Sequence, residues 1–197
     1  MPVGCDMFIT LMMSRMSQSR RHFHRLAAVG LAVAAGLLQG CYLSDRLLVD
    51  PADAVHPLAD GVYARQGDSQ DRFRLTLQPD GRYAVERVAA DGALEETHTV
   101  LVTPQGDGYL LAEARDDGFA YALARVQGAD LYLAAPDCAD PLDRNAAEDQ
   151  GADLDLPDAA GACGFDSAAA LDAALETFEG HADFGQPYRR ISPAPGG

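Results

Sequence analysis

Asp71-Arg72-Phe73-Arg74-Leu75-Thr76-Leu77-Gln78 alternates without a break, with Phe73, Leu75 and Leu77 on one side and Arg72, Arg74, Thr76 and Gln78 on the other. A period of two is that of a β-strand with one dry and one wet face. Pro79-Asp80-Gly81 comes next. Proline presets its own φ and glycine accepts a positive one, so the chain reverses there and Arg82–Val88 returns as the partner strand.

The same grammar extends outward from this hairpin. Gly61-Val62-Tyr63-Ala64 opens a short strand upstream. Downstream, Glu95–Thr103, Tyr109–Glu113, Phe119–Val126 and Leu131–Ala134 each follow a turn, at Ala90-Asp91-Gly92, Gly106-Asp107-Gly108, Asp116-Asp117-Gly118 and Gly128-Ala129-Asp130. Seven short strands joined by tight turns predict a mainly antiparallel β fold, a meander forming a curved sheet or a small barrel. Residues 136–163 lose the period and are rich in Asp, Ala and Pro, which predicts a long acidic loop. After it, Asp166 or Ser167 can cap one C-terminal helix whose Leu171, Leu175 and Phe178 fall on one face, with Gly180 ending it. That stripe is expected to lie on the sheet and to plug one end of it. The β-rich domain is thus expected over 58–190, preceded by a tether at 41–57 and followed by a flexible tail at 191–197.

The 197 residues carry 15 basic and 30 acidic side chains, a formal charge of −15. Residues 1–40 hold Arg15, Arg20, Arg21 and Arg25 against Asp6, so this stretch is +3 and the remainder −18. So acidic a body repels phosphate backbones, which argues against nucleic-acid binding. The chain has neither Lys nor Trp. Schiff-base chemistry, a P-loop and a tryptophan sugar platform each lose their central residue.

Leu26–Leu38 is an uncharged Leu/Ala/Val/Gly run behind Arg20, Arg21, His22, His24 and Arg25, the layout of a signal peptide. It falls short of the about 20 apolar residues a spanning helix needs. Leu38-Gln39-Gly40-Cys41 at its end resembles the lipobox of bacterial lipoproteins, although Gln39 stands where a small or β-branched residue is usual. The resemblance implies that 1–40 is a leader and that Cys41 is the acylated, palmitate-bearing first residue of the mature protein. Tyr42, in place of the Asp that retains such proteins in the inner membrane, favours the outer membrane facing the periplasm. Ser19-Arg20-Arg21-His22-Phe23 is similar to the twin-arginine export motif, with His24 where Leu is usual; both that route and the general secretory route stay open. Met16 would give the leader a normal length and Met1 an unusually long one, which points to Met16 as the true start.

Of four cysteines, Cys5 lies in the leader and Cys41 in the lipobox, leaving Cys138 and Cys163 to pair in an oxidising compartment. Loop closure of that size is worth about 3.5 kcal/mol. His56, His98 and His181 lack metal-site spacing. His98 and Glu96 share a strand face, so an acid/base pair is conceivable. The acidic stretch (Asp137, Asp140, Asp143, Asn145, Glu148, Asp149, Asp153, Asp155 and Asp158) offers hard oxygen donors, with Asp149, Asp153, Asp155 and Asp158 the calcium candidates, but not the spacing of a calcium-binding loop. The aromatics Tyr63, Phe73, Tyr83, Tyr109, Phe119, Tyr121 and Tyr132 either fill the core or line an apolar cavity. Gly61-Val62-Tyr63 is faintly similar to the opening of lipocalins, without their Trp.

Together these observations predict a lipid-anchored envelope protein in a non-enzymatic binding or structural role, without a cofactor, held to the membrane by its anchor and meeting an envelope protein partner. The alternatives are a calcium- or small-ligand-binding module and a hydrolase using His98 and Glu96.

Overall fold

The predicted Phe73-centred hairpin forms, with Phe73 opposite Arg87 and Leu77 opposite Tyr83. At its tip Gly81 adopts φ +81°, its N–H donates to the Gln78 carbonyl, and Asp80 Oδ1 accepts from the Arg82 N–H. The computed structural model describes residues 42–89, 91–154 and 162–193. Among them the strands are β1 (Tyr42–Ser44), β2 (Gly61–Arg65), β3 (Asp68–Leu77), β4 (Tyr83–Val88), β5 (Leu94–Gln105), β6 (Gly108–Arg115), β7 (Gly118–Gln127), β8 (Asp130–Ala134), β9 (Cys163–Gly164) and β10 (Tyr188–Pro193). Helix α1 (Pro141–Asp149) precedes β9 and α2 (Ala168–Glu179) follows it.

Strands β2 to β8 pair in sequence, all antiparallel. The meander does not close on itself. Instead β10 inserts between β8 and β2, antiparallel to both, and completes a closed eight-stranded barrel. Closure removes every free edge from that sheet. The seam between β10 and β8 is short, with Tyr188 opposite Leu131 and Arg189 opposite Asp130. Arg189 spans it as a bidentate clamp, Nε to Asp130 Oδ1 at 2.8 Å and its second nitrogen to Oδ2 at 2.9 Å. These hydrogen bonds hold the Asp130 carboxyl below its ordinary pKa.

Two cores result. Inside the barrel, Tyr63, Phe73, Leu75, Tyr83, Val100, Val102, Leu111 and Tyr188 interlock, leaving a cavity of about 30 Å³. That is room for about one water, so the middle of the barrel is a packed core, while a pocket of about 170 Å³ opens at one end between Leu58, Tyr63, Val126 and Leu131. Outside it, α1 and α2 cover the wall made by β5, β6 and β7, where Leu101, Leu110, Ala112, Tyr121 and Leu123 meet Leu171, Ala174, Leu175 and Phe178. Ser167 caps α2 through Oγ to the Ala170 N–H, and Gly180 follows its last residue, as the sequence predicts. The helix lies along the outer wall and does not plug an end.

Several expectations are corrected. The stretch 136–163 is not one long loop. Asp140 accepts from the Leu142 N–H and Pro141 occupies the first turn, an N-cap followed by proline that starts α1. The Cys138–Cys163 disulfide is formed, with Cα atoms 6.0 Å apart. Residues 42–57, expected as a tether, are packed. Tyr42 is wholly buried on the outer wall, Leu48 joins the same core, and the Val55 N–H donates to Val102 O. β10 runs to Pro193, into the stretch expected as tail. Of the seven aromatics, Tyr121 points out of the barrel toward the helices with Phe119 beside it, while Tyr132 is only half-buried.

Candidate functional site

The end of the barrel bearing the turns after β2, β4 and β6 is charged on its inner side. Alternation along β5 puts Glu96, His98, Val100 and Val102 on one side, and β6 brings Glu113 opposite Val100. The sequence places His98 next to Glu96, and the structure adds a second carboxylate. His98 Nδ1 lies 2.7 Å from Glu113 Oε1 and Nε2 lies 3.3 Å from Glu96 Oε2. Arg115 Nε stands 3.9 Å from the same Glu113 oxygen. Glu113 is 1% exposed, His98 14% and Glu96 50%, so the series runs from the packed interior to solvent.

The imidazole thus stands within ion-pair distance of two carboxylates, one buried and one on the solvent side. The space beside it is the one-water cavity, walled by Leu58, Phe73, Val85 and Leu131. A substrate would have to reach it from the Glu96 side. Glu113 was missed because Tyr109–Glu113 reads as an apolar strand; the signal was an acid at the alternate position after Leu111, where the side chain must point inward.

A second network shares this end. Arg65 Nε pairs with Asp71 Oδ2 at 2.7 Å, the Tyr188 hydroxyl donates to the same oxygen at 2.6 Å, and Arg65 donates to the Tyr188 hydroxyl at 2.7 Å. Burial first, then the hydrogen bond to Asp71, pushes the Tyr188 phenol up to about 12.

The other histidines are tied into structure. His181 Nε2 lies 2.6 Å from Asp143 Oδ1, while Asp143 Oδ2 accepts from the Asp137 N–H, so this pair joins the exit of α2 to α1. Asp143 is thereby buried and committed rather than offered to a metal. His56 meets the Gly81 carbonyl through Nε2 at 3.1 Å, over the Tyr83 ring edge. Among the calcium candidates, Asp149 is exposed at the end of α1 and Asp153 pairs its backbone with Gly164; Asp155 and Asp158 lie outside the described residues, as do Cys41 and the leader. Among the described residues, no three His, Cys, Asp or Glu side chains group so as to hold a metal ion, and no helix is long and apolar enough to cross a membrane.

No protein-family model, curated protein or solved structure matches the chain.

Proposed function

We propose that this chain is a lipid-anchored protein of the bacterial envelope, acylated at Cys41, whose solid barrel serves a binding or structural role. The observation that carries the reading is the order of features in the sequence: Arg20, Arg21 and Arg25, then the uncharged run Leu26–Leu38, then Leu38-Gln39-Gly40-Cys41, which resembles a lipobox. The Cys138–Cys163 bridge agrees with export to an oxidising compartment, and the filled interior favours surface contacts with an envelope protein over enclosure of a small ligand.

Mass spectrometry of the protein extracted from its membrane tests the anchor. An acylated Cys41 at the N-terminus is expected, and Cys41→Ala should leave the membrane fraction. An unacylated, freely soluble wild-type chain would overturn the reading.

The Glu113–His98–Glu96 line favours a second reading, acid/base hydrolysis, because an oriented imidazole with a solvent-side carboxylate can shuttle a proton. The purified chain would be assayed on ester, amide and phosphoester panels. Turnover abolished by His98→Gln at an unchanged unfolding temperature would establish it, and no turnover by the wild type would remove it.

A further inference from the structure

Residues that follow a lipid anchor can act as a spacer, and here none is left over. Tyr42 is fully buried and pairs with Tyr121 on one side and Cys163 on the other. Its hydroxyl donates to the Asp143 carbonyl of α1 at 2.7 Å, and its ring packs on Phe165 with centroids 5.0 Å apart. The Phe165 N–H donates to Leu43 O, and the Ser44 hydroxyl lies 2.8 Å from that of Tyr121. Cys163 is itself bonded to Cys138, so the strand against which β1 lies is stapled covalently to the chain leaving β8. Peeling β1 away to make slack would expose a buried tyrosine and break each of these contacts. One peptide unit, about 3.8 Å between Cα atoms, is all that separates Cys41 from this wall.

We propose that the barrel is held flat against the lipid surface without a tether, and that the face meeting lipid is the one around Tyr42 and the first turn of α1, with Leu142 outermost. This rests on the acylation of Cys41. Leu142 adjoins Asp143, the residue Tyr42 grips, and it is 60% exposed, the most exposed of the large apolar side chains among the described residues. An apolar side chain beside acyl chains that enter the same bilayer has its partner within reach. The barrel's bare side then faces away. β3, which carries the exposed Leu77, is four strands from β7 in either direction round the closed wall.

Because the chain has no Trp, a single introduced one is a clean reporter. Leu142→Trp and Leu77→Trp would be prepared in the full acylated protein and placed in phosphatidylcholine vesicles containing lipid with brominated acyl chains. Fluorescence of Leu142→Trp should be quenched several-fold more than that of Leu77→Trp. A ten-residue Gly/Ser insertion between Cys41 and Tyr42 should abolish the difference while the acyl mass is retained. Equal quenching of the two variants without the insertion, in protein whose acyl mass on Cys41 is intact, would overturn the docking face alone. Absence of that mass would overturn the anchor and the docking together.

Discussion

The two halves of the barrel wall have the same strand geometry and opposite surroundings. In β3 and β4 the inward Phe73, Leu75, Tyr83 and Val85 alternate with outward Arg72, Arg74, Thr76 and Glu86, and the outward side meets water. In β5, β6 and β7 the outward Leu101, Leu110, Tyr121 and Leu123 are as buried as the inward Val100, Val102, Leu111 and Ala122, because α1 and α2 lie over them. The bare half needs one layer of packing, whereas the covered half is the middle of a three-layer stack. Strand β1 joins the covered half, where the wall is doubly supported.

The difference can be broken with one pair of truncations at outward positions. Leu101→Ala should cost about 2–5 kcal/mol, since it opens a hole between the wall and the helices. Arg74→Ala removes a partly exposed ion pair with Glu86, 2.7 Å long, and should cost no more than about 1 kcal/mol. Urea unfolding of both variants checks this. Equal losses would mean that the helix layer adds nothing to the wall it covers.

The same contrast explains what could be read from the sequence. Alternation is visible only where one face is wet, which is why the hairpin over Asp71–Val88 announces itself. Val100–Thr103, Leu110–Ala112 and Ala120–Ala124 read as continuous apolar runs, and their strand character came from the Gly/Asp turns between them. Closure was not legible. Tyr188–Pro193 is six residues with two arginines and a proline, and only its place between β8 and β2 makes it a strand. α1 was hidden in a stretch rich in Asp, Ala and Pro without a clear period, although Asp140-Pro141 carried its start. At the candidate site the pair within β5 and the inward direction of Glu113 follow from alternation, whereas the approach of Glu113 to His98 depends on cross-strand register, which one strand's sequence does not contain. The tether reading failed at Tyr42, whose burial comes from partners 79 and 121 positions away, Tyr121 and Cys163.

A gentler way to part the halves is to cut the staple. Replacing Cys138 and Cys163 by Ser should lower stability by about 2–4 kcal/mol. The loss should fall unevenly: amide exchange ought to speed most at β1, β9 and α1, which the bridge ties together, and least in β3 and β4. Uniform acceleration would show that the bridge acts only on the unfolded chain and that β1 is held without it.

The smallest effect at neutral pH is expected at Tyr188, which lies inside the barrel at the seam that closes the bare half against β8. A phenol whose proton is held more tightly in the folded state contributes no pH dependence while both states are protonated. Above its ordinary value of 10.0 the unfolded chain ionises first, and the folded one follows only at about 12. Stability is therefore complete below pH 10 and falls across that window, by up to about 1.4 kcal/mol per pH unit from this one group. Burial raises Tyr42 and Tyr121 on the covered half in the same direction, so the wild type should unfold steeply in alkali. Tyr188→Phe keeps the ring against Phe73 and Arg65 but loses the bond to Asp71, at a cost of about 1 kcal/mol near neutrality. Its alkaline slope should be shallower than the wild type's, so the two stability curves converge as pH rises. Parallel curves in urea titrations between pH 9 and about 12 would mean that Tyr188 ionises as freely in the barrel as in the unfolded chain, and that the seam is open to water.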